Sequence, residues 1–296
     1  NVIEGGATVT DMGERFTALY KYTLTDADVE MENGTIVSCG YDFSSKYIVI
    51  PNTLHSQQVI GIGKQLHDDM GVFQGKGLIA VDLPSSLEAI EEQAFNGNRL
   101  TALEIPDNVN NINDWAFSNN HLQSLILPDG VQLGRGAFNS NMLSELNGEP
   151  FDGFFYKVND DGSTDSTTIV SYGGNSETID FIPPRVHFIA DEAFGGCGFV
   201  NHVVLPDQLW VVGWYAFLGT SISSITLPNS VSYIGSGAFA ETNVTELSLP
   251  SPDNDVFLFW YSNHNPDSRI EGNVVTDLWA AYTAMQKYIL DDTDVE

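Results

Sequence analysis

The stretch LTALEIPDNVNNINDWAF, residues 100–117, decides the fold. Its apolar positions are Leu100, Leu103, Ile105, Val109, Ile112, Ala116 and Phe117, with Pro106 dividing them. That spacing fits neither an amphipathic helix nor one long strand. Leu103 and Ile105 alternate, as a short half-buried strand requires, and Pro106 then ends its hydrogen-bonding ladder. Ile112, Ala116 and Phe117 suit a single helical turn pressed against an interior. A unit of this size cannot bury its apolar side alone.

The unit recurs. Ala-Phe pairs stand at 94–95, 116–117, 137–138, 193–194, 216–217 and 238–239, with Val72-Phe73 as an earlier variant. Prolines keep the same beat at 84, 106, 128 and 150, then at 183, 206, 228 and 250. Steps of 21–23 residues in both markers, apart from one longer step in each (138 to 194 and 150 to 183), identify a solenoid of 22-residue coils, each holding one strand and one irregular or single-turn segment. Stacking places like on like, so Phe73, Phe95, Phe117, Phe138, Phe194, Phe217 and Phe239 are expected in internal columns, broken by the gap between 138 and 194. Asn98, Asn120 and Asn141, with Thr220 and Thr242 in later coils, are expected at one corner, bonding neighbouring turns.

The pattern L-P-x-x-V-x-x-I-x-x-x-A-F followed by L-x-x-L-x-L-P resembles the leucine-rich repeat of the BspA-like family of bacterial surface proteins, over residues 72–150 and 183–250. The resemblance implies a right-handed, curved β-rich solenoid with parallel strands on its concave face. It also implies a secreted or surface-anchored protein acting in adhesion.

Two departures from the beat outline the organisation. GFFYKV (153–158), NDDGSTDS (159–166) and TTIVSYGG (167–174) read as strand, polar turn and strand, an inserted β-hairpin. TIVSYGG at 168–174 also repeats TIVSCGY at 35–41, displaced by 133 residues, so each marks the start of a block of coils. Residues 3–30 resemble 270–296 at twice that offset, which predicts a segment of a longer tandem array. The expected layout is the end of a β linker module at 1–34, a solenoid over 35–250 and a second small β module at 251–296. The solenoid divides into blocks 35–150 and 168–250 around a hairpin at 151–167. Residues 277–289 are read as strand, with a helix as the alternative.

Eleven Lys and Arg stand against 40 Asp and Glu, a formal charge of −29. Such a chain repels phosphate backbones and anionic lipid, so nucleic acid is not an expected partner. No apolar run approaches the length of a membrane-spanning helix, so this segment is not expected to insert. A monomer is expected. Cys39 and Cys197 fall several coils apart and are expected as free thiols.

Six histidines are scattered without ligand spacing, GSGAF at 235–239 is a repeat slot rather than a nucleophile elbow, and no glycine-rich phosphate cradle precedes a helix. Enzymatic activity is therefore not expected. Asp160, Asp161 and Asp165 offer oxygen donors for calcium, although their spacing is not that of an EF-hand loop; a solvated Asp/Gly turn is the plainer explanation. No other cofactor is implied. The outward strand positions, such as Ala102 and Glu104 or Ser224 and Thr226, are small, polar or acidic and lack an anchor. Trp210, Trp214, Tyr215 and Tyr233 instead occupy outward slots, which marks them as a docking patch for protein or glycan on a host, matrix or neighbouring cell, or as a face covered by the neighbouring hairpin or an adjoining module. The expected function is non-enzymatic recognition; a structural spacer in a large surface protein is the alternative.

Overall fold

The computed structural model describes residues 20–63 and 70–244 and the strands Glu246–Ser248, Phe257–Leu258, Arg269–Glu271 and Val274–Thr276. The chain is a parallel β-solenoid of about nine turns with no helix among the described residues. The expectations for residues 3–19 and 277–296 lie outside the described residues.

Each coil carries two short strands where one was expected. The first precedes the proline: Ala102–Glu104 pairs in parallel with Ser124–Ile126, which pairs with Glu145–Leu146. In these strands Leu103 and Leu125 are buried while Glu104 and Ile126 face out. The second strand follows the proline: Gly61–Ile62, Ala89–Ile90, Asn111–Ile112 and Gln132–Leu133 form a continuous parallel ladder. Ile62, Ile90 and Ile112 point inward with no exposure.

The third side of the coil is not the expected helical turn. Ala116 N–H donates to Asn113 O and Ser118 N–H to Trp115 O, which are successive tight turns. The residue before each Ala-Phe pair has positive φ, from Gln93 at 58° and Trp115 at 53° to Tyr215 at 53° and Gly237 at 64°. A helix cannot continue through that left-handed conformation. The turn instead aims the Ala-Phe backbone along the stack, so Phe95 N–H donates to Ala116 O and Phe117 N–H to Ala137 O. Phe194 and Phe217 do the same with Ala216 and Ala238.

The phenylalanines stack inside this corner. Phe73, Phe95, Phe117 and Phe138 lie 5.1–5.5 Å apart and near parallel, as do Phe194, Phe217 and Phe239 at 4.9–5.5 Å. Each column gains one ring at the gap, Phe155 stacking on Phe138 at 4.9 Å and Tyr172 on Phe194 at 5.2 Å, and the two belong to separate core clusters. The inserted hairpin, Phe154–Val158 with Thr164–Tyr172, therefore supplies the missing rings, and its second strand begins the second-sheet ladder of the later block. Val29–Glu32 with Thr35–Cys39 opens the earlier block in the same way.

Beside the column, Asn120 Nδ2 donates to Phe95 O and Phe117 O, and its Oδ1 accepts from Leu100 N–H. Asn98 and Asn141 repeat this pattern one coil before and one after. Cys197 takes the same slot in the first coil of the later block, fully buried, its thiol donating to Tyr172 O at 3.6 Å. Burial pushes that thiol up to about 12, so it is inert. Cys39 is also a free thiol.

At the junction of the blocks side chains replace the repeating backbone bonds. No Ala carbonyl follows Phe138, and its N–H donates to Ser171 Oγ. Ser171 Oγ donates in turn to Asn139 Oδ1, which also accepts from Tyr172 N–H. Asn139 Nδ2 donates to Glu192 O and Gly195 O in the next coil. Both side chains are fully buried.

Phe117→Ala is expected to lower unfolding free energy by about 3–5 kcal/mol, because it empties one slot of a stacked column; an unchanged urea midpoint would rule the column out as a source of stability. Asn139→Ala is expected to lose about 1–3 kcal/mol, since buried carbonyls and N–H groups on both sides of the junction lose a partner. The same measurement checks it, and a loss no larger than for an exposed Asn108→Ala control would show that the junction does not depend on it.

Candidate functional site

The proposed aromatic residues sit on the second sheet of the later block. Phe188, Val211 and Tyr233 are in parallel register at its outward positions, and Phe257 follows at the next register position. Trp210 is 45% exposed, stacks on His187 at 4.4 Å and meets Phe188 edge-on at 5.8 Å. Trp214 is 49% exposed; its backbone N–H donates to Asp191 and its indole N–H to the Tyr233 hydroxyl at 2.5 Å. Tyr215 is half-buried at the positive-φ position, one slot to the side. The adjacent Ser236 hydroxyl is buried without a hydrogen-bond partner.

Trp214 and Tyr233 line a shallow groove of about 600 Å³ with Phe188, Asp191, Arg135 and Asp165. The structure thus brings Asp165, one of the three proposed calcium ligands, to the aromatic face. It does not bring the three carboxylates together as a cation site. Asp161 accepts from Ser163 N–H and Oγ at the hairpin tip, while Asp165 accepts from Thr167 and Thr168. These bonds hold both carboxyls below their usual range. Among the described residues no three His, Cys, Asp or Glu side chains converge on a metal position.

Arg135, one of the two cations of the groove, is engaged by the chain itself. Arg135 donates from Nε and Nη2 to Asp114 Oδ2, and from Nη1 to Glu192 Oε1 at 3.2 Å. Its guanidinium also lies 5.7 Å from the Trp115 ring centre. Lys157 lies opposite Asp165 in the hairpin register. Burial raises the Glu192 carboxyl to about 6 against the pull of Arg135, with Asp114 and Asp191 adding to the rise. His187, Phe188, Asp191 and Arg135 were not among the sequence candidates. Phe188 alone had a readable signal, an aromatic in a strand slot held by Ala89 and Asn111 in the earlier block.

A family model described as the BspA type leucine-rich repeat region matches residues 69–150 and 172–265 in six copies. No curated protein matches the chain. Among solved structures, the pneumococcal vaccine antigen PcpA is 22% identical, with a TM-score of 0.53 over 83% of this chain and 69% of that one. A leucine-rich repeat protein from Eubacterium ventriosum is 16% identical (TM-score 0.49; 81% of this chain and 69% of that one). A leucine rich cell surface protein from Faecalibacterium prausnitzii is 15% identical (TM-score 0.35; 84% and 91%). PcpA shares the fold.

The raised Glu192 carboxyl fixes a pH dependence. Between about 4.5 and 6 the folded state retains a proton that the unfolded chain releases, so folding stability falls as pH rises through that window. Glu192→Gln is expected to remove this slope. Melting temperatures of the two proteins should therefore diverge as pH rises from 4.5 to 6.5, with the variant relatively more stable at the upper end; parallel profiles would contradict the assignment.

Proposed function

The chain belongs to the BspA-type leucine-rich repeat family, and from that premise we propose that it is a non-enzymatic recognition segment of a bacterial surface or secreted protein, binding a protein or glycan. The observation that carries this reading is the exposed Trp210 and Trp214 pair on an otherwise regular stack. Each coil in the earlier block fills the same sheet with Glu88, Ala89, Asn110, Asn111 and Gln132, which present polar or small groups to solvent. Folding of the later coils does not need the two indoles, because the inward Ile189, Val212 and Ile234 already fill the core. Exposed, pre-positioned aromatic rings of low conformational entropy are the residues from which interfaces draw most of their energy.

The scaffold supports such a role through rigidity. Rings, amides and two ladders run along the stack, and the inserted hairpin adds a ring to the column on either side of the junction and pairs with the second-sheet ladder. The same rigidity favours the second reading, a spacer that holds another domain away from the cell. The expected layout of two coil blocks between small β modules would suit either role.

Trp210→Ala with Trp214→Ala is expected to abolish capture of a partner from matrix-protein and glycan arrays, with a melting temperature close to that of the unsubstituted chain. Retained capture would show that binding lies elsewhere. Absence of any captured partner for the unsubstituted chain would favour the spacer.

A further inference from the structure

The junction inside this chain is a template for a second one at its opening hairpin. TIVSCGY at 35–41 and TIVSYGG at 168–174 occupy the same place at the head of their blocks. Thr35 and Ile36 pair in parallel with Gly61 and Ile62, as Thr168 and Ile169 do with Phe188 and Ile189. Each hairpin is irregular at the same residue. Val37 falls between the Glu30–Ser38 and Met31–Ile36 pairs, and Val170 between Phe155–Ser171 and Tyr156–Ile169. Gly40 N–H donates to Asp28 O as Gly173 N–H donates to Gly153 O. In the later hairpin, the last coil of the earlier block closes the rim. Gly136 N–H donates to Val170 O, Phe138 N–H to Ser171 Oγ and Leu143 N–H to Gly173 O, while Asn139 Oδ1 accepts from Tyr172 N–H. Ser171, Tyr172, Gly173 and Gly174 are all buried there. Their counterparts Ser38, Cys39 and Tyr41 are partly exposed, and Gly40 is exposed.

The glycines point the same way independently. A β-carbon on Gly173 would lie 2.9 Å from Leu143 Cδ1 and 3.2 Å from Phe138 O, so the approaching coil requires a glycine there. A β-carbon on Gly40 would meet nothing within 4 Å, and Gly40 lacks the positive φ that favours glycine. Nothing among the described residues therefore calls for glycine at 40, whereas a closely approaching coil would. Ser38 Oγ and Gly40 O have no hydrogen-bond partner among the described residues.

We propose that the rim Val37–Gly40 seats the closing coil of a second solenoid block of this repeat, one carrying Gly-Ala-Phe-Asn as at 136–139. Val37 O, Ser38 Oγ, Cys39 N–H and Gly40 O then take the parts of Val170 O, Ser171 Oγ, Tyr172 N–H and Gly173 O. The internal junction selects this occupant, because a backbone turned as at Gly136–Leu143 delivers N–H groups and an amide at the spacing of the rim. Glu30 stands in the register place of Phe155, so the ring contact of Phe155 with Phe138 has no equivalent and the seat binds mainly through hydrogen bonds. Beside the rim, Phe43, Tyr41 and Tyr22 already extend the ring column beyond Phe73. The inference is independent of the tryptophan face and holds for a recognition segment and for a spacer alike.

The test fuses a second copy of residues 131–147 to the front of the full chain through a flexible Gly/Ser linker, which holds the coil at high effective concentration near the rim. Cys39 is the reporter, since Cys197 is fully buried. The fusion is expected to slow alkylation of Cys39 by iodoacetamide about ten-fold or more relative to the unfused chain. A fusion carrying the same residues in scrambled order should react like the unfused chain. Gly40→Val enters open space, so it should leave the melting temperature of the unfused chain unchanged and abolish the protection in the fusion. Equal protection by the native and scrambled segments would reduce the effect to crowding by the linker and overturn the proposal. Protection that survives Gly40→Val would overturn it as well. A Cys39 that resists alkylation in the unfused chain as Cys197 does would show the rim covered by the chain itself. An unprotected Cys39 in the fusion would show that the rim takes no coil. Either result also overturns the proposal.

Discussion

Everything in this molecule depends on each coil returning the backbone to one position beside its predecessor. The left-handed residue ahead of each Ala-Phe pair makes that possible. It turns the chain so that the Phe N–H meets the Ala carbonyl of the next coil and the ring drops onto the preceding ring. Only Gly136 and Gly237 adopt this conformation without a steric penalty; Gln93, Trp115, Glu192 and Tyr215 hold it because neighbours on both sides fix the corner. Position, not residue type, sets the turn. The slot is consequently free to carry Trp115 or Tyr215, and the corner becomes a place where the solenoid can vary its surface.

The regular parts of this arrangement were legible in the sequence because they recur. Pro106 and Phe117 mark a beat that seven further prolines and six further phenylalanines repeat, and the Asn98, Asn120 and Asn141 corner follows from the same alignment. The second strand was not legible, since a two-residue strand such as Asn111–Ile112 offers no alternation to detect. The junction was hidden for a different reason. Ser171 and Asn139 do once, with side-chain atoms, what a backbone carbonyl does for Phe73, Phe95, Phe117, Phe194 and Phe217, and a single occurrence carries no period. Of the proposed site, the aromatic residues could be seen as departures from their slots. That Asp165 would reach the same groove as Trp214 could not, because the hairpin's placement is set by its pairing with Phe188–Ile189.

Departure from the repeat has two distinct meanings here. At the junction, polar residues replace backbone partners and are buried without residual exposure, so they maintain the stack. On the second sheet of the later block, aromatic residues replace polar ones and remain half exposed, so they add nothing that the stack requires. Burial separates the two cases where residue type does not. Cys197 and Trp210 are both irregular in sequence, yet the first is enclosed at an amide corner and the second stands in solvent.

The two blocks also differ in how firmly their coils are tied, and this bears on where the aromatic face is placed. In the earlier block each corner amide bonds two successive Phe carbonyls, so a coil cannot shift without breaking a buried bond. In the later block Thr220 and Thr242 bond only the carbonyl of their own coil, Phe217 and Phe239 respectively. A hydroxyl has one donor where an amide nitrogen has two, so the tie between coils is lost at that corner. The later coils are held to one another by their backbone ladders and rings and by side-chain bonds nearer the surface, such as Asn243 Nδ2 to Ser221 O and Ser230 Oγ to Leu209 O. Small rotations between them therefore break fewer buried hydrogen bonds at that corner than in the earlier block.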